Sequence, residues 1–323
     1  MKCSWKKLLG FAILIGVLFL AACGSDNEEG NADDGEEGAS GDEPIEIVTT
    51  IAQIGEPISE IGGDLVNVET LMGPSVDPHL YDPTQGDIAT LDEADVVFYS
   101  GLHLEANMEE PLESISSEKP VLAIGETLPE DVLLEDEEEP GAPDPHIWFD
   151  YNLWQDALDA AVEELKEYAP EHADELEEGK QEYFAQLEEL DEEAAKLQDI
   201  PDEQRVLVTA HDAFNYFGEL HDMEVVGLQG ISTESEAGVS DVNDTISIIE
   251  EHEVPAIFVE SSVNQDTINA VIEGAADNGM EVEIGGELFS DAMGEEGTEE
   301  GTYIGMYKHN IDTIYEALTG GDE

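Results

Sequence analysis

Residues 153–197 read LWQDALDAAVEELKEYAPEHADELEEGKQEYFAQLEELDEEAAKL, and the architecture turns on this stretch. Its pattern is helical throughout and is interrupted once, at Pro170, which lacks an N–H and disfavours helix in the residue before it. In the second half, from Glu171 to Leu197, the apolar residues Leu176, Tyr183, Leu187, Leu190, Ala194 and Leu197 recur near helical spacing, with Glu and Lys elsewhere. A helix of that length runs roughly 40 Å at about 1.5 Å per residue. Length and central position mark residues 170–198 as one stiff strut between two halves of the chain.

Outward from the strut, each half alternates short β-branched runs with helical patterns. The candidate strands before it are Ile45–Ala52, Val66–Met72, Val96–Tyr99 and Val121–Ile124; those after it are Val206–Thr209, Val225–Leu228, Ala256–Val259 and Val282–Ile284. Helical stretches lie between them at Gln85–Glu93, Leu104–Ser114, Thr245–His252 and Thr267–Asn278, and a last helix covers Gly305–Leu318. Strand and helix alternating in this way specify mostly parallel sheets with helices on both faces. The expected fold is α/β, with lobes at residues 44–169 and 199–323. Each lobe carries a mostly parallel four-stranded sheet, and one long rigid backbone helix joins them.

The first 22 residues read as a secretory signal: Lys2, Lys6 and Lys7, then an apolar run from Leu8 to Leu20 that falls short of a bilayer span. Leu20-Ala21-Ala22-Cys23 follows and resembles a bacterial lipobox, in which Cys23 bears the lipid and tethers the chain to the outer face of the cytoplasmic membrane. Residues 23–43 are acidic and Gly-rich, with no apolar side chain larger than Ala in Gly24–Glu43, and read as a flexible linker. About 280 residues remain, enough for two lobes and a sizeable core. With Cys3 in the signal, the remaining chain has one cysteine and no intramolecular disulfide, so any metal chemistry falls to nitrogen and oxygen.

The chain has 81 acidic and 9 basic residues, a formal charge of −72. That balance argues against nucleic acid or an anionic membrane surface as a partner. The acids are spread through helices and loops, so their mutual repulsion weakens the compact state in dilute buffer and salt relieves it. A salt-rich habitat is the expectation.

In sheets of this type ligands sit at the carboxyl ends of strands, and that rule sorts the eight histidines. His79 lies in the loop after Val66–Met72, His146 in the loop before Trp148, and His211 directly after Val206–Thr209. His172 and His252 fall in charged helical segments, His221 beside a helix end and His309 in the last helix, while His103 is ambiguous. Asp-Pro-His occurs twice, at 77–79 and 144–146. Proline stiffens each loop, so Asp77 and Asp144 either accept the second imidazole proton of the neighbouring histidine or cap loop backbone. Three imidazoles and one carboxylate suit zinc, manganese or ferrous iron. For a carboxylate from the second lobe, Asp291 is the best candidate; Glu260 and Glu287 sit in comparable loops, and spacing alone does not choose among them.

The stretches ETLMGPSVDPHLYDP, VVFYSGLHLE, DPHIWFD, TAHDAFNYFG, GLQGISTESEAG, IFVESSV and GGELFSDAMGEEGTEEGTYIGMYKHN resemble those of the cluster A-I metal-binding proteins of ABC importers, especially the TroA-like branch. The likeness runs from Ile45 to Thr319. It implies two α/β lobes bridged by a long helix, with one zinc or manganese ion held between them by His79, His146, His211 and Asp291, and with Asp77, Asp144, Glu260 and Glu287 as possible outer supports. It also implies a membrane permease as partner, together with a cytoplasmic ATPase, and a monomer that carries its ion without bond making. Some manganese-selective relatives have Glu where this chain has His211, which leans the site toward zinc, although relatives with His are linked to both metals. Zinc-specific relatives often carry a histidine-rich loop, whereas residues 134–144 here read LEDEEEPGAPD.

Three other functional classes share parts of this pattern. A zinc hydrolase also uses three histidines and an acid, but the chain has no HExxH, and the absence of GxxxxGK[ST] excludes an ATPase. A binding protein for an iron chelate or corrinoid shares the two-lobe plan but needs an open groove with aromatic or basic contacts. An adhesin fits surface anchoring and has no sequence feature of its own.

Overall fold

The structure is a computed structural model that describes residues 43–136, 140–235 and 237–320. The expected signal at 1–22, Cys23 and nearly all of the linker lie outside the described residues, as do three residues of the acidic loop 134–144.

In the first half β1 (Ile45–Thr49) leads into α1 (Ala52–Gly62), followed by β2 (Val66–Thr70), α2 (Gln85–Glu93), β3 (Val96–Tyr99), α3 (Glu109–Ile115) and β4 (Val121–Ala123). The four strands form one parallel sheet in the order β2-β1-β3-β4. β1 and β3 are its interior strands, and their β-branched and aromatic side chains are almost wholly buried, as expected for a sheet covered on both faces. α1 occupies residues that the strand reading Ile45–Ala52 only touches. Gly55 and Pro57 inside it mask its helical pattern; Gly55 is required because a Cβ there would collide with the Thr49 and Thr70 hydroxyls.

α4 (Tyr151–Tyr168) opens the central helical region. Asp150 caps it by accepting the Asn152 and Leu153 N–H groups. Its buried stripe of Trp154, Ala157, Leu158, Ala161, Val162 and Leu165 follows helical spacing, and the helix ends at Ala169 against Pro170. The strut expected over 170–198 is not one unbroken helix. It consists of a 3-10 turn at Pro170–His172, α5 (Ala173–Leu187), α6 (Leu190–Ala194) and a 3-10 run, Ala195–Asp199. At the break Glu188 and Glu189 keep right-handed backbone angles. Five carboxylates between residues 188 and 193 place like charges three and four positions apart, which loosens a helix.

The second half contains β5 (Val206–His211), α7 (Asn215–His221), β6 (Glu224–Gln229), α8 (Val239–His252), β7 (Ala256–Glu260), α9 (Asp266–Asp277), β8 (Glu283–Leu288) and α10 (Tyr303–Thr319). All its strand pairs are parallel, as expected, but they form two ladders, β5-β6 and β7-β8, in place of a single four-stranded sheet. β5 lies beside β7; where they meet at their carboxyl ends, the His211 N–H donates to the Glu260 side chain at 2.9 Å instead of to a strand carbonyl. β8 runs further than Val282–Ile284 suggests. Gly285 and Gly286 interrupt its apolar pattern, because a Cβ at Gly285 would strike Ala317 on α10 and Phe258 on β7. The α/β class and the parallel, helix-covered two-lobe plan are as read from the sequence. Among the described residues no helix is long and apolar enough to cross a membrane.

Candidate metal centre

Four side chains converge where the two halves meet. His79 comes from the irregular segment between β2 and α2, and His146 from the residue before a 3-10 turn, Ile147–Phe149, that feeds α4. His211 is the last residue of β5, and Asp291 follows β8. One potential ligand atom from each lies within 4.8 Å of all the others. Asp291 Oδ1 is 3.2 Å from His146 Nε2, and Asp291 Oδ2 is 3.2 Å from His211 Nε2 and 3.9 Å from His79 Nε2. The His79 and His146 Nε2 atoms are 3.4 Å apart. None of the four residues is more than 3% exposed.

Each ligand candidate has its own support. Asp144 Oδ1 accepts the His146 backbone N–H at 2.9 Å and lies 2.8 Å from His146 Nδ1, so this Asp both caps its turn and orients the ring. Glu260 backs His211 in a similar way: Oε1 accepts its N–H at 2.9 Å, and Oε2 lies 2.5 Å from Nδ1 as a close contact without hydrogen-bond alignment. Asp77 differs: Oδ1 accepts the His79 N–H at 2.9 Å, and Oδ2 accepts the Thr233 hydroxyl at 2.6 Å. It therefore caps backbone and does not hold the ring. Glu287 is an exposed residue of β8, whose carbonyl faces His309; it takes no part, because alternation along the strand turns it away. His103 is exposed and lies 2.7 Å from Glu109, and His221 is a core residue on Tyr307 at 2.9 Å.

Several contributors carry no signal in the sequence. Gln53 Nε2 and Trp148 Nε1, both from the first half, donate to the Ser290 carbonyl at 3.0 and 3.2 Å. They fix the backbone next to Asp291 from across the cleft. Tyr303 and Tyr307 on α10 donate to the Trp148 and Phe149 carbonyls at 2.6 and 2.8 Å, tying the His146 turn to the opposite half.

Electrostatics separates the rings. Burial pushes the His79 imidazole down to about 3, against the pull of Asp291. Burial also disfavours charge on His146 and His211, but carboxylates outweigh it: Asp144 and Asp291 hold His146 up at about 9, and Glu260 and Asp291 raise His211 well above its ordinary value. Burial would raise Asp291, yet His211 and His146 keep it well below the usual carboxylate range. Coordination needs neutral rings, so a cation entering here displaces protons.

Both Asp291 oxygens, both His211 ring nitrogens and Glu260 Oε2 are buried without an aligned hydrogen-bond partner among the described residues. Buried polar atoms are ordinarily paired; the Asp291 and His211 Nε2 atoms belong to the cluster whose donor atoms lie within 4.8 Å of one another. Three imidazole nitrogens and a carboxylate, with no sulfur, form a donor set for a borderline or hard divalent ion.

The family model described as zinc-uptake complex component A, periplasmic, matches residues 47–317. The chain belongs to the zinc-uptake complex component A family. Within that family it is 45% identical to the manganese-binding lipoprotein MntA of Bacillus subtilis over 95% of this chain and 97% of that protein. It is equally 45% identical to the zinc-binding protein TroA of Treponema pallidum, over 88% of this chain and 92% of TroA. The solved structure of that periplasmic zinc-binding protein superposes with a TM-score of 0.82, covering 85% of this chain and 99% of TroA.

Proposed function

We propose that this protein is the ion-capturing lipoprotein of a bacterial ABC importer, holding one divalent cation, zinc or manganese, between its lobes. His79, His146, His211 and Asp291 are the ligands, and Asp144 and Glu260 orient two of the rings. The observation that carries this reading is the buried convergence of four donor groups, two from each half, on one point. The ion is cargo. A filled, four-ligand set leaves no open position of the kind a catalytic zinc keeps for water, so the reading is transport without catalysis. Ligand atoms this close together and this buried admit a bare ion and leave no room for a chelate or corrinoid.

Identity does not choose the metal, since a manganese-binding and a zinc-binding relative are equally similar. His211 leans the donor set toward zinc. The proposal places a lipid on Cys23, the folded part as a monomer on the outer face of the membrane, and a permease as the receiver of the ion.

The test is metal analysis of protein purified without added metal, followed by competitive titration with zinc and manganese in high salt. One ion per chain is expected. Replacing any one of the four ligands by Ala weakens retention at least about tenfold; unchanged affinity for a variant removes that residue from the ligand set.

A further inference from the structure

The three imidazoles are not held alike. Asp144 stands behind His146 and Glu260 behind His211, but among the described residues no carboxylate stands behind His79. Its ring is carried by a segment outside any helix or strand, in which Ser75 adopts a left-handed φ of 61°. What anchors that arm is Asp77, gripping the His79 N–H with one oxygen and the Thr233 hydroxyl with the other, at 2.9 and 2.6 Å. Thr233 belongs to the opposite half, in the segment between β6 and α8. It is buried, while its neighbours Ser232 and Glu234 are exposed. The segment therefore shows solvent a polar outer edge and sends one hydroxyl inward across the cleft.

The same segment borders the way out. His79 lines a cleft of about 520 Å³ together with Ile231 and Ser232 of that segment and His103 of the first half. His146, His211 and the Asp291 side chain are sealed off from solvent. Of the four ligand candidates only His79 lines this cleft, whose other walls are Leu102, Pro145 and, from the acidic loop, Asp136 and residues 140–143, so an ion that leaves by it passes the His79 arm.

We propose that Thr233 is a positioning residue for release: acting through Asp77, its hydroxyl keeps His79 on the ion, and this cross-lobe hydrogen bond sets the rate at which the ion leaves. The inference rests on the tetrad being the ion site. A hydrogen bond to a carboxylate is stronger than a neutral one, and losing it leaves the half-buried Asp77 without its partner from the opposite half. A partner that draws this segment outward by its exposed residues Ser232, Glu234 and Ser235 thereby frees His79 without touching the ion.

The experiment is stopped-flow release of bound zinc into excess chelator, using the full chain, Thr233→Val, Thr233→Ser and Asp77→Asn. Release about tenfold faster is expected for Thr233→Val and Asp77→Asn, with Thr233→Ser within about twofold of the parent. Thr233→Val and Asp77→Asn also lose this hydrogen bond in the metal-free chain, so their metal-free melting temperatures fall modestly and alike; the zinc release rate, and its rescue by Thr233→Ser, is the readout that a purely structural role would not move. Release from Thr233→Val at the parent rate, or equally fast release from the Ser and Val variants, overturns the inference while leaving the tetrad intact. A parent chain that retains no zinc overturns both.

Discussion

Asp144 and Glu260 do similar work in opposite halves, each accepting a histidine N–H and standing beside that ring's Nδ1. Outer partners of this kind typically change metal affinity by about 10–100-fold, so Asp144→Asn and Glu260→Gln should each weaken zinc binding by about that factor in competition titrations. Unchanged affinity in both would mean the rings are oriented by packing alone. A second residue acts on stability. Glu56 on α1 accepts the Tyr303 N–H at 3.1 Å and the Tyr183 hydroxyl at 3.3 Å, and burial raises its carboxyl from 4.5 to about 7. Between those values the folded chain keeps a proton that the unfolded chain has lost, so the stability Glu56 contributes is complete below 4.5 and declines as pH rises to about 7. Glu56→Gln should therefore match the parent near pH 4 and exceed it at pH 8 by on the order of 2 kcal/mol in urea unfolding. A pH-independent difference would contradict the assignment. At this level the histidines were legible because ligands gather at strand ends, where imidazole is an unusual residue. Thr233 and Gln53 were not, since a loop hydroxyl or amide is ordinary until the chain brings its partner across the cleft.

α5 crosses α1 so closely that Gly179 faces the Ile61 carbonyl, and a Cβ there would press on that backbone oxygen well inside van der Waals contact. In an isolated helix Gly→Ala gains about 1 kcal/mol. Here overlap with backbone outweighs it, and Gly179→Ala should destabilise by roughly 1–3 kcal/mol, read as a lower urea midpoint. An equal or higher midpoint would show that the helices yield at little cost. The same contact explains part of what the sequence did and did not reveal. β3 and α2 were legible to the residue, because an uninterrupted apolar run and a Thr84 capping box mark them locally. α1 and β8 were obscured by glycines whose purpose is tertiary, giving room to the Thr49 and Thr70 hydroxyls and to α10. The strut was legible as helix but not as a broken one; apolar spacing continues through residues 188–189, and only the local density of carboxylates marks the loosening.

At the scale of the whole molecule, cations are few, and most of those among the described residues sit at joints. Lys166 and Lys180 bridge α4 and α5 through Glu163, Asp159 and Glu177. Lys196 joins the end of the strut to Asp312 on α10, and Lys119 closes the carboxyl end of α2 by donating to the Leu91 and Asp92 carbonyls and to that of Ala94 just beyond it. The remaining excess of acid, within a formal charge of −72, repels itself at low ionic strength. At about 1 M salt the screening length falls to roughly 3 Å, so the melting temperature should climb steeply from dilute buffer to molar salt; a flat profile would contradict the self-repulsion account. The central claim is that both halves surrender donor atoms to one cation. Anomalous scattering at the zinc edge from crystals of the zinc-loaded chain tests it most directly. The account predicts a single strong peak about 2.0–2.2 Å from a ring nitrogen of His79, His146 and His211 and from a carboxylate oxygen of Asp291. A peak elsewhere, or one bonded to ligands from only one half, would contradict it.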